Sequence, residues 1–81
     1  MKLMDNLLVD MLKCINAKDS MSISDIQKEM QIYNIIVIRK RIKFMEENNL
    51  ILKEKMGRKY NIKILDKGRK LLVMSEIINL Q

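Results

Sequence analysis

RIKFMEENNLILKEKMGRKYNIKILDKGRK, residues 41–70, changes its periodicity twice. Up to Glu47 the apolar residues Ile42 and Met45 continue the spacing of Ile35 and Ile38, at intervals of three and four, which places all of them on one helix face. The pair Asn48–Asn49 breaks that pattern. From Leu50 the side chains alternate instead: Leu52, Glu54 and Met56 oppose Lys53 and Lys55, while Tyr60, Ile62 and Ile64 oppose Lys59, Asn61 and Lys63. Alternation with a period of two means strands, and Gly57 between the two runs marks a hairpin turn. A further helix starts near Asp66. The order is helix, hairpin, helix, with lysine and arginine gathered at the hairpin tip.

Upstream, a first helix is expected over residues 3–17, with Leu3, Leu7, Leu8, Met11, Leu12 and Ile15 on its apolar face. NAKDSMS (16–22) reads as a polar turn. In SISDIQKEM (22–30), Ser24 is expected to cap a second helix over 24–31, because Gln27 follows at the capping-box spacing. Ile26 and Met30 give that helix one buried edge. QIYN (31–34) breaks the pattern, and Asn34 is the expected cap of a third helix over 34–48. Arg39, Lys40 and Lys43 point away from its apolar stripe. A short helix, a turn and a longer basic helix are the order of a helix-turn-helix unit, whose last helix enters the DNA major groove. A wing over 51–65 and a C-terminal helix over 66–80 complete the chain. In that last helix Leu71, Met74 and Ile78 form one stripe, and Val73, Ile77 and Leu80 form another. A surface helix needs one stripe, so the second calls for a partner.

Composition narrows the function. The chain of 81 residues is expected to make one domain, near the lower limit for folding alone. There is one cysteine, Cys14, and no histidine, so neither a zinc site nor a histidine-activated thiol nucleophile is expected. An enzyme is disfavoured, and no cofactor, metal or small-molecule ligand is evident. The lone thiol suits the cytoplasm and is expected to be a small buried side chain. No apolar run is long enough for a membrane span, and Asp5 and Asp10 interrupt what a secretory signal would need. The eight methionines read as core filler.

Charge is unevenly placed. The net charge is +6; residues 1–31 carry four lysines and five acids, whereas residues 32–81 carry twelve basic residues and five acids. That asymmetry is expected where one half meets a polyanion. A solvated lysine-rich surface would produce the same excess. A basic hairpin directly after a basic third helix favours the polyanion: Gly57 lets the tip turn tightly, and Lys55, Arg58 and Lys59 there can neutralise phosphates. Tyr60 shares a face with Ile62 and Ile64 and is expected in the core. Tyr33 in the turn is open to either role, packing or a hydroxyl bond to phosphate.

The segment beginning Ile42, Lys43, Phe44, Met45, Glu46, Glu47, then Leu50 and Ile51, resembles the LKFLEEKGLI run of small prokaryotic winged helix-turn-helix transcription regulators, especially archaeal ones. Tyr60 falls where that family has a wing tyrosine, and Asp66, Lys67 and Gly68 resemble the T-x-K-G motif that opens its final helix. Three positions depart from the pattern. Asn49 stands where glycine is common, and asparagine also tolerates a left-handed helix end. Leu65 stands where threonine usually caps, leaving Asp66 as the substitute. Ile36 and Val37 occupy the start of the third helix, where the family has polar residues. Apolar side chains there can touch thymine methyls but form no hydrogen bonds to bases, so phosphate contact and DNA shape are expected to supply more of the binding.

The resemblance implies a mainly α protein with a small β-hairpin (α+β), a winged helix-turn-helix with a three-helix core, a wing and a C-terminal dimerisation helix. It implies a homodimer on double-stranded DNA, paired through the last helix with help from the first, and acting most simply as a transcriptional repressor. The expected DNA-binding residues are Asn34, Arg39, Lys40 and Lys43 of the third helix and Lys55, Arg58 and Lys59 of the wing. A cellular, a viral or a plasmid origin fits so small a regulator. Ile36 and Val37 keep open a winged helix used for protein assembly without DNA affinity. A membrane-surface role is disfavoured by Glu76 within the last helix and by the position of the cations.

Overall fold

The computed structural model describes residues 6–79, with side chains as far as Ile77. Leu3 and Leu80, and the side chain of Ile78, lie outside the described residues. The elements are α1 (Asn6–Lys18), β1 (Ser20–Ser22), α2 (Ile23–Glu29), α3 (Ile35–Glu47), β2 (Ile51–Met56), β3 (Lys59–Ile64) and α4 (Asp66–Asn79). The three strands form one antiparallel sheet in the order β1-β3-β2. This is the α+β architecture of a winged helix-turn-helix, with α2 and α3 as the helix pair and β2–β3 as the wing.

α1 supplies much of the core, burying Leu7, Leu8, Met11, Leu12 and Ile15. It ends at Asp19, whose φ of 62° is left-handed and tolerable for aspartate. The next three residues are strand, where the sequence pointed to a turn. Met21 is buried opposite Ile62, and its serine neighbours pair with Lys63 and Asn61. With one apolar residue in a three-residue strand there is no alternation to read.

The cap of α2 also differs from expectation. Ser22, not Ser24, is the N-cap: it has extended backbone, and its hydroxyl accepts the Asp25 N–H at 3.1 Å. The Asp25 carboxylate receives the Ser22 N–H in return, which completes a capping box, and the Ser22 hydroxyl first and its N–H second hold the Asp25 carboxyl below its ordinary pKa. Ser24 lies inside the helix, so α2 spans 23–29 in place of 24–31. The end of β1 decides this, because Ser22 is still extended when the helix begins.

α3 is capped as expected. The Asn34 side chain accepts the Ile36 N–H at 2.7 Å, and Ile38, Ile42 and Met45 are buried. At its far end Asn49 is left-handed (φ 60°), with Leu50 N–H donating to the Met45 carbonyl at 2.8 Å and Asn49 N–H to Glu46 at 3.1 Å. These are the two bonds of a Schellman ending.

In the wing the pairing of β2 with β3 decides which face of residues 52–56 turns inward. Ile51 is buried and pairs with Ile64; Lys53 and Lys55 follow on the same face, opposite Ile62 and Tyr60. Leu52 and Met56 look outward and are exposed. The buried partner Ile62 fixes the register, since a slip of one residue would expose it. At the tip only Gly57 has positive φ (65°), the pattern of a two-residue type II′ turn through Gly57 and Arg58.

The base of the wing is closed by the Leu65 N–H, which donates to the Leu50 carbonyl at 2.9 Å. α4 begins there. A Cβ on Gly68 would collide with the Leu50 carbonyl oxygen and lie 2.9 Å from Ile64 Cγ1, so only glycine lets the helix pass. Asp66 is the first helical residue, and its carboxylate pairs with Arg69 at 3.0 Å instead of capping. Neither apolar stripe expected in α4 is the buried one. Gly68, Leu72 and Ser75, at four- and three-residue spacing, face inward, and the Ser75 hydroxyl is satisfied by the Leu72 carbonyl at 2.8 Å. Val73, Met74 and Ile77 stay exposed. Among the described residues, no helix is long and apolar enough to cross a membrane.

Candidate nucleic-acid interface

Burial of Ile38, Ile42 and Met45 fixes how α3 is rotated on the core. At about 100° per residue, Ile36, Lys40, Lys43 and Glu47 then form the ridge directed most nearly away from it. All four are exposed. Arg39 lies on the flank of that ridge toward the wing, where it lines a groove of about 480 Å³ with Ile42, Lys43 and Glu46. Lys53 and Tyr60 of the wing and Ile23 of α2 line the rest of it.

Two side chains that sequence reasoning did not single out tie wing and helix together. Lys53 Nζ lies 3.9 Å from the Glu46 carboxylate and 4.8 Å from the centre of the Tyr60 ring. Each contact is modest for groups this exposed; the one to Glu46 bridges wing and α3, and the one to Tyr60 lies within the wing. Tyr60 is correspondingly not a core residue. It is 40% exposed at the tip end of the face that Ile62 and Ile64 share, beyond the reach of the core. Its register opposite Lys55 was the available signal: a tyrosine paired with a lysine near a turn is already at the rim.

Five of the seven expected site residues are cations without an acidic partner. Arg39, Lys40, Lys55, Arg58 and Lys59 are exposed and form no ion pair among the described residues. Lys43 approaches Glu47 at 4.0 Å with most of its side chain in solvent, a weak pairing. Lys55 shares the α3-facing side of the wing with Lys53 and Tyr60, and Arg58 sits in the turn. Lys59 springs from the opposite face, beside Met56. Of the expected residues, Arg39 and Lys43 line the groove; Lys40 stands on the outer ridge of α3, Lys55 lies beyond Lys53 toward the wing tip, Arg58 sits in the turn, and Lys59 starts from the far face. The seventh residue, Asn34, uses its carbonyl oxygen for the α3 cap and keeps its amide as a donor.

Tyr33 is half-buried against the core. Cys14 is also half-buried rather than enclosed; its thiol donates to the Met21 sulfur at 3.5 Å, and burial pushes its pKa up, so it stays protonated and poorly nucleophilic. Among the described residues no cluster of histidine, cysteine or carboxylate side chains could hold a metal ion.

Apolar side chains are exposed in two places. Ile32 and Ile36, at the turn before α3 and in its first turn, are 89% and 60% exposed. On α4, Val73, Met74 and Ile77 are each more than half exposed.

No protein-family model matches the chain, and no curated protein matches it. Solved structures do. RosR from H. salinarum superimposes with a TM-score of 0.83 at 12% identity, over 98% of this chain and 76% of that one. A protein from Archaeoglobus fulgidus is similar with a TM-score of 0.77 at 23% identity, over 96% and 90% of the two chains. MarR from E. coli, solved in complex with operator DNA, matches with a TM-score of 0.79 at 8% identity, over 89% of this chain and 53% of its own. The chain spans about half the length of the bacterial regulators it matches first. At these identities the likeness establishes the winged-helix fold.

Proposed function

We propose that the chain binds double-stranded DNA as a homodimer and regulates transcription, most simply by occupying a promoter as a repressor. The observation that supports this reading is the set of exposed cations without acidic partners, Arg39 and Lys40 on α3 and Lys55 and Arg58 on the wing, in a chain whose other half is nearly charge-balanced. Exposed and unpaired, they repel one another, and a row of phosphates relieves that repulsion. The ridge of α3 enters the major groove, where Lys40, Lys43 and Arg39 reach phosphates or base edges and the Asn34 amide donates from the first turn. Lys55 and Arg58 of the wing, with Lys59 if its long side chain wraps around the tip, lie on the neighbouring backbone or in the minor groove. MarR, of the same fold, was solved in complex with operator DNA, which supports duplex DNA as the partner.

The exposed Val73, Met74 and Ile77 face of α4 meets its copy in a second chain, with α1 alongside. Two-fold symmetry then presents two α3 helices to successive turns of the duplex, so the preferred site is roughly palindromic, with half-sites about 10 bp apart. Such a regulator works in the cytoplasm, where a prokaryotic promoter lies.

Gel-shift with random duplex DNA, followed by selection of the bound sequences, tests the reading. Recovery of a two-fold symmetric site is the expected result. Negligible duplex binding at about physiological salt contradicts it, and would favour a protein-assembly role in which exposed Ile32 and Ile36 meet a protein partner.

A further inference from the structure

We infer that Ile36 reads thymine: where α3 enters the major groove, the preferred duplex presents a thymine 5-methyl group to this side chain. The inference rests on the DNA-binding reading above and adds which base is recognised there.

Ile36 occupies a defined place. It follows the cap Asn34 by two residues, its backbone N–H is held by the Asn34 side chain at 2.7 Å, and it stands at the head of the ridge that continues through Lys40 and Lys43. The first turn of a helix-turn-helix recognition helix is the part that touches base edges. A β-branched residue in a capped helix turn has few rotamers, so Ile36 offers a fixed apolar surface. It is 60% exposed, and core packing therefore does not account for an isoleucine at this position.

The chemistry of the groove selects the partner. Guanine, cytosine and adenine present donors and acceptors on their major-groove edges, and an isoleucine that displaces their water satisfies none of them. Thymine alone presents a methyl group. An isoleucine pressed into the groove thus gains at thymine and loses elsewhere. Charge separates this occupant from a protein one. Any ligand covering Ile36 also meets Lys40 and Arg39, which have no acidic partner among the described residues. The major groove of a duplex supplies the apolar methyl and the flanking phosphates together.

The test compares an alternating A·T duplex with the same duplex carrying uracil in place of every thymine, by fluorescence anisotropy at one fixed salt concentration. Uracil lacks only the methyl group. The wild-type chain is expected to bind the thymine duplex about fourfold more tightly for each methyl that Ile36 covers, and more than tenfold if both chains of a dimer contribute. Ile36→Ser is expected to bring the thymine-to-uracil ratio close to one while leaving the salt dependence unchanged, because no cation is lost; circular dichroism confirms that it folds. Equal affinity of the wild-type chain for both duplexes overturns the inference and leaves the DNA reading standing. So does discrimination that survives in Ile36→Ser. Failure to bind either duplex even at low salt overturns the DNA reading and this inference with it.

Discussion

At the base of the wing Gly68 lies so close to the Leu50 carbonyl that no Cβ fits, whereas at the tip Gly57 has nothing within 4 Å of where a Cβ would sit. One glycine is there for space and the other for its backbone angle, a φ of 65°. Around the first, Leu50, Ile51, Ile64 and Leu72 are buried, and the end of α3, the wing and the start of α4 meet at one carbonyl. Around the second, every residue from Lys55 to Tyr60 is exposed. A hairpin built this way is anchored by packing at one end and offers charge at the other. Stability and binding are thereby placed in different residues, and substitutions separate them.

The largest effect is expected at the base. Gly68→Ala forces the start of α4 off Leu50 and costs about 3 kcal/mol, which lowers the midpoint of thermal unfolding by more than about 10 °C. A midpoint within a degree or two of the wild type would show that the base is not packed as described. At the tip, Gly57→Ala meets only the penalty of a left-handed backbone, about 1 kcal/mol, and Gly57→Asn costs less because asparagine visits that region readily. Equal costs for alanine and asparagine would mean that Gly57 is constrained by something besides its φ.

A third substitution probes the other joint that capping holds. Ser22→Ala removes the hydroxyl that accepts the Asp25 N–H and is expected to cost about 1 kcal/mol in chemical denaturation, with Ser24→Ala well below that. Acid reports on the same joint. Because the hydrogen bonds from Ser22 hold the folded Asp25 carboxyl below its unfolded value, its contribution is complete above the unfolded pKa and is lost as pH falls through the folded one. The difference in stability between wild type and Ser22→Ala should therefore shrink only in strong acid. Smallest of all for the fold, Arg58→Ala with Lys59→Ala is expected to shift stability by less than about 0.5 kcal/mol.

The contrast between base and tip also shows what a sequence reveals. Helix order, the wing and both glycines are legible because each leaves a local mark: a stripe at spacing three and four, alternation, a residue without a side chain. The two ends of α3, Asn34 and Asn49, are legible for the same reason. β1 is not, because Met21 alone carries it and its partner strand lies some forty residues on, at Ile62. Ser22 and Ser24 both begin a plausible capping box, with Asp25 and Gln27, and the strand ending at Ser22 chooses between them. Alternation alone does not say which face of β2 turns inward: Leu52 and Met56 look like core residues, while the ladder obeys the pairing of Ile51 with Ile64. In α4 several stripes are apolar enough to be buried, and the close approach at Gly68 selects the one containing Leu72. For the interface, charge marks Arg39, Lys40, Lys43, Lys55 and Arg58, but nothing local announces that Lys53 spans to Glu46 or that Lys59 starts from the far face.

Salt dependence of duplex binding tests the central claim most directly, since each phosphate contact releases counterions in a countable way. With about six phosphate contacts per chain, the plot of log K against log salt is expected to fall with a slope near −5 per bound chain, and the Arg58→Ala, Lys59→Ala double substitution is expected to make it about two units shallower per chain. A slope shallower by about one unit per chain would leave one of the two outside the interface, and Lys59→Ala alone then identifies which. A slope unchanged by the double substitution would contradict the account, because the tip of the wing would then touch no phosphate at all.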